Sequence, residues 1–129
     1  MVINNKSSVN RRSKKIAFEF VLEALISLDP IVKPMFGCHA IYVEEKIIFM
    51  LRNQESEPYD NGVWLATSPP YHTSLERELP SMRSIKLFGR GKTKWQNIPM
   101  EADDFEESVF KACEMVLNRD IRIGKFPNT

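Results

Sequence analysis

Cysteine and histidine are scarce in this 129-residue chain, with two of each. Two cysteines, Cys38 and Cys113, cannot build the disulfide framework of a small secreted domain, and both sit among apolar neighbours, where a thiol behaves as a small buried hydrophobe. A reducing cytoplasm is the expected setting. An excess of charge of one sign is also missing. Eighteen Lys+Arg stand against 17 Asp+Glu, a net charge of +1, which excludes a disordered polyelectrolyte and a strongly basic nucleic-acid protein on totals alone. Five glycines and eight prolines are too few for a collagen-like or low-complexity chain. No long hydrophobic run is present either: the most apolar N-terminal stretch, residues 16–28, is interrupted by Glu19 and Glu23, so neither a membrane span nor a signal peptide is expected. What remains, 43% hydrophobic with 27% charged side chains, is the balance of one soluble globular domain.

Residues 1–12 are polar and lack an apolar period, so a flexible tail is expected there and a single domain over 13–129. Ile16, Phe18, Val21, Leu22, Leu25 and Leu28 recur at three- and four-residue steps, the stripe of a helix that Asp29-Pro30 closes. Pro34 and Gly37 break the chain before Ala40-Ile41-Tyr42-Val43, a first strand. A polar break at Glu44-Glu45-Lys46 leads to a second strand over 47–52, and Gly62 opens a third over 62–67, which predicts an antiparallel meander. Ser68-Pro69-Pro70 ends it. A short helix with a hydroxyl cap is expected over 73–79, then a second hairpin from strands 84–88 and 93–98 joined by a turn at Gly89-Arg90-Gly91-Lys92. Asp103 or Asp104, with Glu106 or Glu107 three residues on, predicts a capping box for a last helix whose apolar face is Phe105, Val109, Ala112, Cys113, Val116 and Leu117. The order is helix, three strands, helix, two strands, helix: a two-layer α+β domain with a five-stranded antiparallel sheet and helices on one face. After Asp120 the chain is expected to extend the last helix or lie free.

Pro34-Met35-Phe36-Gly37, followed by the hairpin of Ala40-Ile41-Tyr42-Val43 and Lys46-Ile47-Ile48-Phe49, resembles the N-terminal domain of the TfoX family of bacterial competence regulators. Trp95-Gln96-Asn97-Ile98-Pro99, leading into an acidic-capped helix, is similar to that family's closing strand and helix. Related YjbR-like domains share this element order, which is reminiscent of secretion chaperones. The resemblance spans roughly residues 31–117 and implies a regulatory or interaction module without catalytic residues or cofactor. Cys38 stands where the family commonly has a second glycine, and Glu44-Glu45 where Asp-Gly is expected at the hairpin. Full-length members carry a further C-terminal domain, and within these 129 residues none is expected.

Candidate chemistry is thin. Cys38-His39 is the only thiol–base pair, and neighbours on an extended strand point to opposite faces, so direct contact is not expected. Cys38, His39, His72 and Cys113 are the only Cys and His ligands for zinc, and their spacings match no familiar site, so no metal is expected. Gly89-Arg90-Gly91-Lys92 lacks the length and the Ser/Thr of a phosphate loop, and a strand follows it where such a loop needs a helix. The charge map is more informative: Arg83, Lys86, Arg90, Lys92 and Lys94 share residues 83–95 without an intervening acid and with Trp95 beside them. Such a patch can contact nucleic-acid phosphates while the indole stacks on a base. Acids of residues 101–114 follow at once, so a basic sheet surface and an acidic helix can equally form the halves of a protein interface, to a partner or a second copy. Tyr59 and Tyr71 are candidate anchors there, and Trp64 is expected in the core. The leading expectation is a protein-interaction or regulatory domain; the alternative is a nucleic-acid-binding accessory protein using the basic hairpin.

Overall fold

A computed structural model describes residues 15–88 and 94–127. The predicted tail, the Gly89–Lys92 turn, and Arg90 and Lys92 with it, lie outside the described residues. The strands are β1 (Ile31–Met35), β2 (Cys38–Val43), β3 (Lys46–Arg52), β4 (Gly62–Ala66), β5 (Arg83–Ser84) and β6 (Trp95–Pro99). They form one six-stranded antiparallel sheet in the order β1-β2-β3-β4-β6-β5. The helices are α1 (Phe20–Ala24), α2 (His72–Glu78) and α3 (Phe105–Leu117), with short 3-10 turns between.

The α+β class and the β2-β3-β4 meander stand as expected, but the sheet has six strands where five were predicted. The extra strand is β1, hidden in the sequence by Pro34. β1 is an edge strand, and Met35 and Cys38 flank a two-residue turn as a hydrogen-bonded pair. Alternation then puts Pro34 where an N–H would point away from the sheet, so proline removes no ladder bond.

Both tight hairpins close with positive φ at their two central residues: Phe36 and Gly37 at 53° and 77°, Glu44 and Glu45 at 52° and 71°. This is the geometry whose twist matches paired strands and which usually selects Asn-Gly or Asp-Gly. Glu44 is offset by an ion pair to Arg119. Phe36 has no such compensation. At Ile41/Tyr42 the β2-β3 register shifts, and the extra residue, Ile48, joins Phe49 in the core on one side of the sheet.

The predicted first helix is mostly not a helix. Phe18 at φ 55° turns the chain just before α1, Leu25 at φ −103° ends it after five residues, and a 3-10 turn carries the chain to Asp29. The apolar stripe still works: Val21 and Leu25 are fully buried, and Ile16, Phe18, Phe20, Leu22 and Leu28 pack against the same core. Burial, not helical hydrogen bonding, is what the periodicity encoded.

Residues from α1, α2 (Leu75, with Leu79 just after it) and α3 (Val109, Ala112, Cys113, Met115, Val116) join Ile41, Val43, Phe49, Leu51, Val63, Leu65 and Ile98 in one core. The helices therefore cover a single face. Neither predicted cap forms: no side chain caps α2 or α3, and Asp104 instead accepts hydrogen bonds from Ser108 Oγ (2.9 Å) and Ser81 Oγ (2.6 Å). Those two hydroxyls hold the Asp104 carboxyl below its usual range.

The stretch after Asp120 neither extends α3 nor lies free. Ile123 enters the core, Gly124 N–H bonds Ala66 O (2.8 Å), and Lys125 exchanges two backbone bonds with Ile47, each 2.9 Å. The segment thus fills the fork where β3 and β4 diverge.

Candidate functional site

The face of the sheet that the helices leave open carries a second, smaller apolar cluster: Cys38, Ala40, Met50, Trp64 and Ile85, with Met35, Tyr42, Ile47, Leu87 and Trp95 packed against it. Its cover comes from residues 85–88, and one carboxylate explains why. Asp60 is buried, and its two oxygens accept the backbone N–H of Lys86 (3.0 and 3.1 Å) and of Leu87 (2.8 Å). These bonds end β5 after Ser84, so the predicted strand over 84–88 is only two residues long. The chain instead bends over the open face and drops Ile85 and Leu87 onto it.

Phe88 then stands over Trp64, edge to face at 6.0 Å, and meets Phe36 at the same distance. Trp64 in turn lies 5.9 Å from Trp95. A row of four aromatics, Phe36, Phe88, Trp64 and Trp95, crosses the open face. Trp64 is held firmly, being 1% exposed and donating Nε1–H to Asp60 O at 2.7 Å. The two members at one end are not covered: Phe36 is 76% exposed and Phe88 63%.

Beneath these two rings lies a cavity of about 240 Å³ lined by Cys38, Met50, Trp64 and Leu87, with Arg52, Gln54, Ser56 and Glu57 at its polar side. Arg52 is buried and is held without a carboxylate: Nη1 donates to Glu57 O and Asn61 Oδ1, both 2.8 Å, and Nη2 to Ser56 O at 2.8 Å. Gln54 Nε2 donates to Phe36 O (3.2 Å) and approaches Cys38 Sγ (3.4 Å). The polar groups at this wall are engaged in holding the loop 53–61, so the surface left for a ligand is mainly apolar.

The predicted basic patch divides. Arg83 stacks on Tyr59 (3.6 Å to the ring centre), donates to Tyr59 O at 2.8 Å and faces Glu101 at 3.7 Å, while the Lys86 ammonium sits 3.9 Å from the same ring centre. Tyr59 is thus the platform for two cations. Lys94 and Trp95 lie apart from them at the start of β6, beside the segment 124–127. There, a cleft of about 180 Å³ is lined by Ile47, Ala66, Thr67, Lys94, Trp95, Lys125, Phe126 and Pro127.

Cys38 and His39 occupy opposite faces, Cys38 in the open-face cluster and His39 paired with core residue Leu51. Cys113 lies across the sheet on α3, where burial pushes its thiol up to about 12. Among the described residues, no group of three or more His, Cys, Asp or Glu side chains is placed to hold a metal ion. Tyr71 packs on the main core and is no surface anchor. Phe36, Phe88, Arg52 and Phe126 were not legible as site residues. The only sequence signal was Phe36 preceding Gly37 at a turn, a phenylalanine where a polar residue fits better.

No protein-family model, no curated protein and no solved structure matches this chain. Among the described residues, no helix is long and apolar enough to cross a membrane.

Proposed function

We propose that this chain is a non-enzymatic regulatory or protein-interaction module, of the kind the resemblance to the TfoX N-terminal domain family implies, acting in the cytoplasm. Its working surface is the open sheet face, where a partner protein inserts one apolar side chain between Phe36 and Phe88. The observation that supports this is the pair of aromatic rings left in solvent above a cavity floored by Trp64. Large exposed aromatics over a preformed pocket are the usual anchor of a protein interface.

The cavity has room for one side chain, and its polar wall is occupied by internal bonds, which favours an aliphatic or aromatic anchor over a polar ligand. Exposed Lys86 beside the rim favours acidic residues flanking that anchor. The placement of Cys38 and His39 on opposite faces of the sheet supports this reading over one built on a thiol–base pair.

The test is capture of partner proteins on the full chain, followed by rebinding of each purified partner to wild type and to Phe36→Ala/Phe88→Ala. Loss of at least about tenfold in affinity with an unchanged melting temperature supports the reading. Equal binding by the variant rejects it. The nucleic-acid reading is weaker, because Arg83 faces Glu101 and the described cations of residues 83–94 are divided between two places.

A further inference from the structure

The segment that fills the fork between β3 and β4 builds a second recess, and its chemistry differs from that of the open-face cavity. Trp95 forms one wall and Phe126, half exposed, another, with Ile47, Ala66 and Thr67 between them. The recess is small, room for one ring system and no more at about 180 Å³.

Its electrostatics are one-sided. Lys94 and Lys125 line it, and the Lys46 ammonium lies 5.4 Å from the centre of the Phe126 ring. No carboxylate is among the lining residues, and among the described residues none of these three lysines forms an ion pair. This contrasts with Arg83, Arg119 and Arg122, each of which faces an acid. Three unneutralised ammonium groups around a slot with two aromatic walls are complementary to a flat ring bearing a compact anion. The backbone beneath is fixed: Lys125 and Ile47 exchange two hydrogen bonds and Gly124 bonds Ala66 O, so the slot is preformed.

We propose that the cleft between Trp95 and Phe126 binds a planar aromatic ring carrying a phosphate, the chemistry of a nucleotide. The ring lies against Trp95 and Phe126, and the phosphate is held by Lys94 and Lys125 with Lys46 behind. A single mononucleotide and the end of a single strand share this chemistry. The cleft shares Trp95 and Ile47 with the open-face cluster, but its proposed ligand does not rest on the partner reading of Phe36 and Phe88.

The full chain is titrated with AMP, dTMP, adenosine, inorganic phosphate and an eight-residue oligo-dT, following tryptophan emission and heat. AMP is expected to quench saturably, with adenosine and phosphate each at least about tenfold weaker, since each supplies half of the contact. Lys94→Ala/Lys125→Ala is expected to lose at least about tenfold in AMP affinity. Phe126→Ala, which leaves the lysines in place, is a second and separate probe of the wall. Oligo-dT binding more than about tenfold tighter than dTMP, with a steep decline in added salt, identifies a strand as the source; equal affinities identify the mononucleotide. The proposal is overturned if AMP gives no saturable signal at millimolar concentration, if phosphate alone binds as tightly as AMP, or if both variants keep wild-type affinity while remaining folded by circular dichroism.

Discussion

Phe36 and Phe88 meet edge to face at 6.0 Å, although 52 positions separate them in the chain and neither is needed to fill the main core. One is presented by a hairpin turn and the other by a segment bent over the sheet by Asp60. Their meeting is the mouth of the open-face cavity.

Phe36 adopts φ 53°, a left-handed conformation that costs a bulky residue about 1 kcal/mol and suits asparagine. Phe36→Asn is therefore expected to raise stability, by about 0.5–1 kcal/mol in urea unfolding, while weakening capture of a partner. A variant both less stable and fully competent in binding would contradict the role given to this ring.

Asp60 is expected to be far more sensitive than its place in a polar loop suggests. Asp60→Ala leaves the N–H groups of Lys86 and Leu87 without their acceptor and uncouples residues 85–88 from the open face. A loss of about 2–4 kcal/mol is expected in chemical denaturation, with enhanced accessibility of Trp64 to an aqueous quencher.

Arg52 carries the loop 53–61 through three carbonyl acceptors and Gln54. Lysine cannot reproduce that fork, so Arg52→Lys should destabilise almost as much as Arg52→Ala, about 2–3 kcal/mol each. Rapid proteolysis within 53–61 under native conditions is the accompanying expectation. Full protection of that loop in both variants would count against the assignment.

Stability should fall in acid partly through Asp120. Its carboxylate accepts Arg122 Nε at 2.9 Å and Nη2 at 2.6 Å, and these bonds hold it below the usual aspartate range. A carboxyl with a lowered folded value contributes stability that is complete above about pH 4–5 and is lost as pH falls through that lowered value. Asp120→Asn should therefore be destabilised near neutrality and show a flatter decline between about pH 4 and pH 2, measured by thermal melts across pH.

Gly62 is fixed by space as well as by backbone angle. At φ 150°, a Cβ there would collide with the backbone oxygen of Ile98. Gly62→Ala is expected to cost at least about 3 kcal/mol, read from the urea midpoint, and an unchanged midpoint would show that β4 and β6 can part more easily than their pairing suggests.

Much of the fold was legible because burial leaves a periodic trace. The meander, the last helix and the one-sided helix layer follow from alternation and three-to-four spacing. β1 was hidden because Pro34 reads as a breaker until its outward-facing edge position is known. The short α1 was overread because an apolar stripe reports which residues are buried, and Phe18 before α1 and Leu25 and Leu28 after it reach the core from outside the five-residue helix. The site was far less legible. Arg83 and Lys86 looked like open cations, yet Tyr59, distant in sequence, takes both. Phe88 owes its position to Asp60 and Phe126 to a backbone exchange with Ile47, and neither long-range contact leaves a local pattern.

The backbone exchange between Ile47 and Lys125 also sets an order of events during synthesis. Strands β3 and β4 emerge from the ribosome before residues 124–125, so the backbone groups of Ile47 and Ala66 at their diverging ends wait for that later segment. Until then the nascent sheet carries an open seam, the kind of unpaired backbone that other chains can add to.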